Sequence, residues 1–155
     1  MYKYILVAVD GSDTAKLALR EAIKLAKEQR AELRLIHVID ESLFTWDASD
    51  AMVAAETVLD ALRKAGQAIV DKALAQVRKA GLKAKVVLPE TFGERTASVI
   101  VKEAKRWPAD LIVIGTHGRR GVDRLLLGSV AEGVVRLSAK PVLLIRGTKG
   151  KGRGL

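Results

Sequence analysis

Five short apolar runs alternate with amphipathic stretches along the chain. Tyr4-Ile5-Leu6-Val7-Ala8-Val9 is unbroken and ends at Asp10-Gly11-Ser12, the pattern of a strand buried on both faces that closes in a sharp turn. Over residues 13–30, Ala15, Leu19, Ala22, Ile23 and Ala26 recur at helical spacing, with Ser12 or Asp13 available to cap the first N–H groups. Residues 32–39 predict a second strand, and residues 40–49, which include Phe44 and Trp46, a loop. Val58, Leu62, Ala65, Ile69, Ala73 and Val77 share one face of a long helix over 51–79, which Gly81 ends. A third strand is expected at 84–88 and a connection at 89–94. A helix over 95–106 stops at Trp107-Pro108, since proline cannot continue it. The fourth strand is 111–114. A glycine-bearing loop from 115 to 128 leads to a helix starting near Ser129, and the fifth strand is 141–145.

Strands that alternate with helices require right-handed crossovers and a parallel sheet. The expectation is an α/β fold: a doubly wound, five-stranded parallel sheet in the order 3-2-1-4-5, Rossmann-like, with helices on both faces. Ligands of such sheets sit beyond the carboxyl ends of the strands where the winding reverses. The turns after strands 1 and 4 are therefore the candidate site.

Composition narrows the class. A chain of 155 residues is the size of one domain, expected over 1–147, followed by a basic flexible tail at 148–155. No cysteine is present, which excludes disulfides and thiolate metal sites and fits a cytoplasmic location. No apolar run approaches the ~20 residues of a membrane helix. The net charge of +9 is partly carried by Arg146, Lys149, Lys151 and Arg153 at the glycine-interrupted end. A nucleic-acid role would rest on charge alone, without a recognition motif, and is not favoured.

The stretch GTHGRRGVDRLLLGSV carries the chemistry. Gly115 and Gly118 let the backbone turn and let N–H groups approach an anion. Gly128 opens the next helix without a side chain in the way. The N–H groups of Ser129, Val130 and Ala131, with the helix dipole behind them, suit a phosphate, and the Ser129 hydroxyl adds a donor. Arg119, Arg120 and Arg124 can neutralise phosphates or form a solvated basic loop. Asp10 can serve a ligand or cap its own turn. His37, inside an apolar strand, reads first as structural. No serine, cysteine or carboxylate is visibly paired with His117 for acid–base work. A Walker-type P-loop and a dinucleotide G-x-G-x-x-G after strand 1 are both absent.

The spacing of Gly115, Gly118, Gly128 and Ser129 resembles the ATP-binding signature of the universal stress protein family. The likeness extends to ILVAVDGS at 5–12, to the strand ending His37-Val38, and to SAKPVLL at 138–144. It implies a nucleotide set of Val9, Asp10, Ser12 and Val38 at the strand ends, with Val38 meeting adenine through its backbone. Gly115, Thr116, His117, Gly118 and Arg119 belong to it on the loop, and Gly128, Ser129 and Val130 at the helix start. The implied ligand is ATP with Mg²⁺ or Mn²⁺, which Asp10 can reach through water. The implied assembly is a homodimer through the edge strand at 142–145.

Three function classes follow: an ATP-dependent stress-response switch with little or slow hydrolysis, a slow ATPase or phosphoryl transferase, and a dimeric scaffold independent of nucleotide. Efficient phosphoryl transfer needs an oriented nucleophile, metal ligands and charge stabilisers together. Only part of that set is visible, so the reading leans away from an enzyme.

Overall fold

A computed structural model describes residues 1–43, 51–117 and 127–147, without the side chains at 43 and 51–54. The chain runs β1 (Tyr4–Ala8), α1 (Asp13–Gln29), β2 (Glu32–Ile36), β3 (Ile39–Asp40), a 3₁₀ turn (Glu41–Leu43), α2 (Ala51–Lys79), β4 (Ala84–Val87), β5 (Glu90–Thr91), α3 (Thr96–Arg106), β6 (Leu111–Gly115), α4 (Ser129–Leu137) and β7 (Val142–Ile145). The main sheet is parallel in the order β4-β2-β1-β6-β7, which is the predicted 3-2-1-4-5 in its principal strands.

Strand alternation sorts the apolar runs into two cores. Ile5, Val7, Leu33, Leu35, Leu111 and Val113 pack against α1 and α2, on Leu19, Ile23, Val70 and Val77. Leu6, Ile36, Ile112 and Ile114 point the other way, onto Ile100 and Ala104 of α3 and Val134 of α4. Small side chains let the helices lie close: a β-carbon at Gly133 of α4 would come 2.6 Å from the Ala97 β-carbon of α3.

The same alternation places Arg34, between Leu33 and Leu35, on the α3 face. Its guanidinium lies 4.5 Å from the Trp107 ring centre and donates through Nη1 to Glu103 at 2.6 Å. Glu103 is only 7% exposed and also accepts from Arg106 through Nε at 3.0 Å and Nη2 at 2.7 Å.

Helix ends follow local chemistry. The Ser12 hydroxyl accepts from Ala15 N–H at 3.1 Å, and Arg30, at φ 56°, closes α1. Gly81, at φ 79°, ends α2, with Leu82 N–H returning to the Val77 carbonyl.

Residues 32–39 are not one strand. Main-sheet pairing stops at Ile36 and resumes as β3, which pairs with β5 in a separate two-stranded sheet. Pro89 is the physical reason: its carbonyl accepts Ile39 N–H at 2.9 Å, yet it has no N–H to return, so the ladder is interrupted there. The connection expected at 89–94 thus contains β5.

Two ion pairs brace this turn. Arg63 Nε donates to Glu90 at 2.5 Å, and Glu94 accepts from Lys102 and from the Ser98 hydroxyl. The hydrogen bond from Arg63 holds the Glu90 carboxyl below the ordinary range, and those from Lys102 and Ser98 do the same for Glu94. A carboxyl depressed on folding contributes stability above its unfolded pKa and loses it as pH falls through the folded value. The turn is therefore expected to loosen below about pH 4. Carboxyl-detected NMR titration of Arg63→Ala should return Glu90 to ordinary titration and leave Glu94 depressed.

Candidate functional site

The winding reverses between β1 and β6, so the loops after these strands part and leave a cleft at their carboxyl ends. Two joined lobes occupy it. The smaller, about 340 Å³, has apolar walls from Ile36, Ile100, Ile114 and Val130, with Asp10, Thr116, His117, Gly128 and Ser129 on its polar side. The wider, about 780 Å³, lies between α2 and α4. Asp10, Val38, Thr96, Ser129 and Val130 line both.

Helix α2 builds the outer wall because of its length. Its 29 residues reach about 43 Å, against about 15 Å for a strand of the sheet. At Gly66 the helix meets His37: a β-carbon there would lie 2.9 Å from the His37 ring. His37 Nδ1 is 2.8 Å from the Val9 carbonyl. A carbonyl only accepts, so Nδ1 carries the proton, and His37 ties the end of β1 to the break after β2.

That break exposes the Val38 backbone. His37 and Ile39 donate to the Val87 and Pro89 carbonyls on the β4 side, so the intervening Val38 N–H and C=O face the other way, where β1 has already ended. They have no partner among the described residues. An amide donor and acceptor side by side at the cleft can read the edge of a heterocycle.

The opposite wall is the N-terminus of α4. Gly128 N–H donates to the Thr116 carbonyl at 2.6 Å, and the Gly128 carbonyl receives the first helical bond from Glu132. The N–H groups of Ser129, Val130 and Ala131 are thereby left without partners among the described residues, and no side chain caps the helix. Gly128 has an ordinary φ of −59°. It is glycine for space, since a β-carbon would stand 2.9 Å from the Thr116 carbonyl oxygen. Gly115 likewise ends β6 without a positive φ. Its requirement is the Thr14 methyl, 2.7 Å from where a β-carbon would be, rather than the turning freedom expected from sequence.

Thr116 is 6% exposed, and its hydroxyl is buried without a hydrogen-bond partner among the described residues. A buried unsatisfied hydroxyl beside a cleft is costly and marks a place for a ligand atom or a water. Asp10 accepts from Ser12 N–H at 2.8 Å, which braces the turn after β1 while keeping its carboxylate at the cleft.

The fold thus gathers Val9, Asp10, Val38, Gly115, Thr116, His117, Gly128, Ser129 and Val130 around the smaller lobe. Ser12 lines neither lobe and serves as the α1 cap. Gly118, Arg119, Arg120 and Arg124 lie outside the described residues. Sequence reasoning missed Thr96 and Ile100, because nothing in an amphipathic helix pattern tells which end of it borders a cleft. Among the described residues no group of three acidic, histidine or cysteine side chains could hold a metal ion by itself.

A sequence profile of the universal stress protein family matches residues 1–146. The universal stress protein YxiE of Bacillus subtilis is 37% identical over 94% of this chain and all of its own. A universal stress protein of Methanocaldococcus jannaschii is 36% identical over 96% of this chain and 85% of its own. Among solved structures, UspA from Lactobacillus plantarum superposes with a TM-score of 0.80 at 29% identity, covering 94% of this chain and 98% of that one. Two further structures carry nucleotides. The universal stress protein of Archaeoglobus fulgidus in complex with dAMP has a TM-score of 0.66 at 28% identity, over 93% and 98% of the two chains. A universal stress protein in complex with cAMP has a TM-score of 0.66 at 26% identity, over 95% and 99%.

Proposed function

The chain belongs to the universal stress protein family, and from that membership we propose that it is a cytoplasmic ATP-binding protein whose nucleotide occupancy acts as a stress-response switch. One observation carries the reading. The Val38 backbone, without a partner among the described residues, and the N-terminus of α4, which no side chain among them caps, both line one apolar lobe, as a purine at one end and phosphates at the other require. The dAMP and cAMP complexes of relatives support an adenine ligand.

In this reading the base lies among Ile36, Ile114 and Val38, and the buried Thr116 hydroxyl gains a partner on the nucleotide. The phosphates take the free N–H groups of Ser129, Val130 and Ala131, where backbone donors and helix dipole act together. Position 131 adds no hydroxyl of its own. Mg²⁺ or Mn²⁺ fits this donor set as a companion of the phosphates, since Mg²⁺ keeps most of its waters and uses one or two carboxylates. Asp10 is the carboxylate on the smaller lobe. His117 also lines this lobe.

The test is calorimetric titration of nucleotide-stripped protein with ATP and Mg²⁺, followed by a hydrolysis assay on the same samples. Saturable binding is expected, weakened about tenfold in Ser129→Ala by loss of one hydrogen bond to a charged group. Hydrolysis is expected to stay slow. Absence of binding by the parent protein would sink the nucleotide reading. A homodimer through β7 belongs to the same proposal. Leu143 on that strand and Val135 on α4 are exposed, and an edge strand invites pairing. Light scattering should return twice the chain mass.

A further inference from the structure

The Val38 N–H lies at the cleft without the backbone bonds that hold a strand in place. His37 N–H donates to the Val87 carbonyl at 3.2 Å, and in a parallel ladder the residue two further on, Pro89, would donate back to the His37 carbonyl. Proline has no N–H to give. The peptide unit made of the His37 carbonyl and the Val38 N–H therefore has no hydrogen bond at either end among the described residues. The next unit is held, because Ile39 N–H donates to the Pro89 carbonyl at 2.9 Å. The Val38 acceptor is thus anchored through its own peptide, and the Val38 donor is not.

We rest on the nucleotide reading above and propose that His37 supplies the missing constraint: it is a positioning residue that aims the Val38 donor and thereby sets the selectivity among purines. Its Nδ1–H donates to the Val9 carbonyl at 2.8 Å. Val9 is itself fixed, 6% exposed and donating through its N–H to the Ile36 carbonyl at 2.9 Å. On its other side the ring rests against α2 at Gly66, where a β-carbon would lie 2.9 Å from Cδ2 and 3.2 Å from Nε2. Glycine is among the weakest residues for the interior of a 29-residue helix, and room for the imidazole accounts for it here. A ring held at both edges leaves the His37 backbone little freedom, and the Val38 N–H follows. His37 lines the wide lobe and not the smaller one, whereas Val38 lines both, so His37 acts on the base through Val38.

An aimed donor discriminates. Adenine presents a bare N1 beside an amino group, which matches an N–H next to a carbonyl. Hypoxanthine presents the reverse, N1–H beside a carbonyl, so a fixed Val38 backbone would meet donor with donor and acceptor with acceptor, leaving polar groups unpaired. An amide able to swing gives up part of the adenine match and tolerates the other base.

The full chain, stripped of nucleotide, is titrated calorimetrically with ATP, with inosine triphosphate and with inorganic tripolyphosphate, which has no base. The parent is expected to prefer ATP over inosine triphosphate by about tenfold or more, the loss of one or two hydrogen bonds. His37→Leu removes the donor and keeps apolar bulk. It should contract the preference to within about threefold, chiefly by weakening ATP, and leave tripolyphosphate unchanged. His37→Asn carries an amide N–H the same number of bonds from the α-carbon as Nδ1, and should restore most of the preference. Gly66→Ala keeps His37 and is the better helix former, yet should reduce the preference by displacing the ring; it decides the matter if His37→Leu does not fold. A role confined to packing would lower the melting temperature of His37→Leu and keep the parent's ratio of the two affinities. That result, or an Asn variant no more selective than the Leu variant, would overturn the proposal while ATP binding by the parent upholds the nucleotide reading. A parent that binds no ATP would remove both.

Discussion

Gly128→Val should weaken the proposed nucleotide binding while the sheet stays folded. The first branching carbon would stand 2.9 Å from the Thr116 carbonyl oxygen, inside van der Waals contact with a backbone atom that cannot rotate away. That oxygen also accepts Gly128 N–H at 2.6 Å, so relief requires moving the first turn of α4 away from the end of β6. The N–H groups of Ser129, Val130 and Ala131 move with it. Hydrogen bonds to a charged group contribute about 1.5–3 kcal/mol each, so misplacing one weakens the proposed ATP binding by about tenfold to about 150-fold. Overpacking should lower stability by about 1–3 kcal/mol. Calorimetry and denaturant unfolding of the same variant separate the two effects. Unchanged affinity would mean that the phosphates do not use the start of α4.

The largest stability effect is expected far from the site. Glu103→Ala should destabilise the protein by about 3–5 kcal/mol, the range for removing one partner of a buried ion pair. Glu103 is the counter-charge of Arg34, whose side chain is 14% exposed and lies on the Trp107 ring. Arg34 Nε already has no partner among the described residues, so loss of the carboxylate leaves a guanidinium in the core with its charge uncompensated. Arg106→Ala is the control. Its side chain is 73% exposed, and the loss should stay within about 1 kcal/mol, as for a surface pair. Urea unfolding of both variants tests the contrast. Equal, small losses would show that water reaches Arg34.

The buried pair illustrates what pattern reading misses. Arg34 interrupts an apolar run, and nothing near it in sequence announces Glu103, 69 positions away. The bridge exists because alternation sends residue 34 to the face that α3 covers. The smaller sheet was missed for a related reason: β3 and β5 are two residues each, too short for periodicity, and they pair because β2 and β4 already lie side by side.

Ser12 marks another boundary. Its hydroxyl caps α1, as local chemistry predicted. Gly115 and Gly128 were legible as glycines with a purpose, but the purpose is the room needed by Thr14 and by the Thr116 carbonyl. Such a requirement belongs to two elements at once.

By itself the sequence determined the five principal strands, the helices between them and their order in the sheet. Each of these depends on residues a few positions apart: apolar periodicity, capping side chains, Gly81, Pro108, and the glycine spacing before Ser129. The tertiary structure alone decided which backbone groups at the cleft lack a partner among the described residues, that α2 overshoots the sheet and walls a second lobe, and that Arg34 has a counter-charge. Those depend on distances between residues far apart in the chain, which only the packing of helices on both faces of one sheet can set.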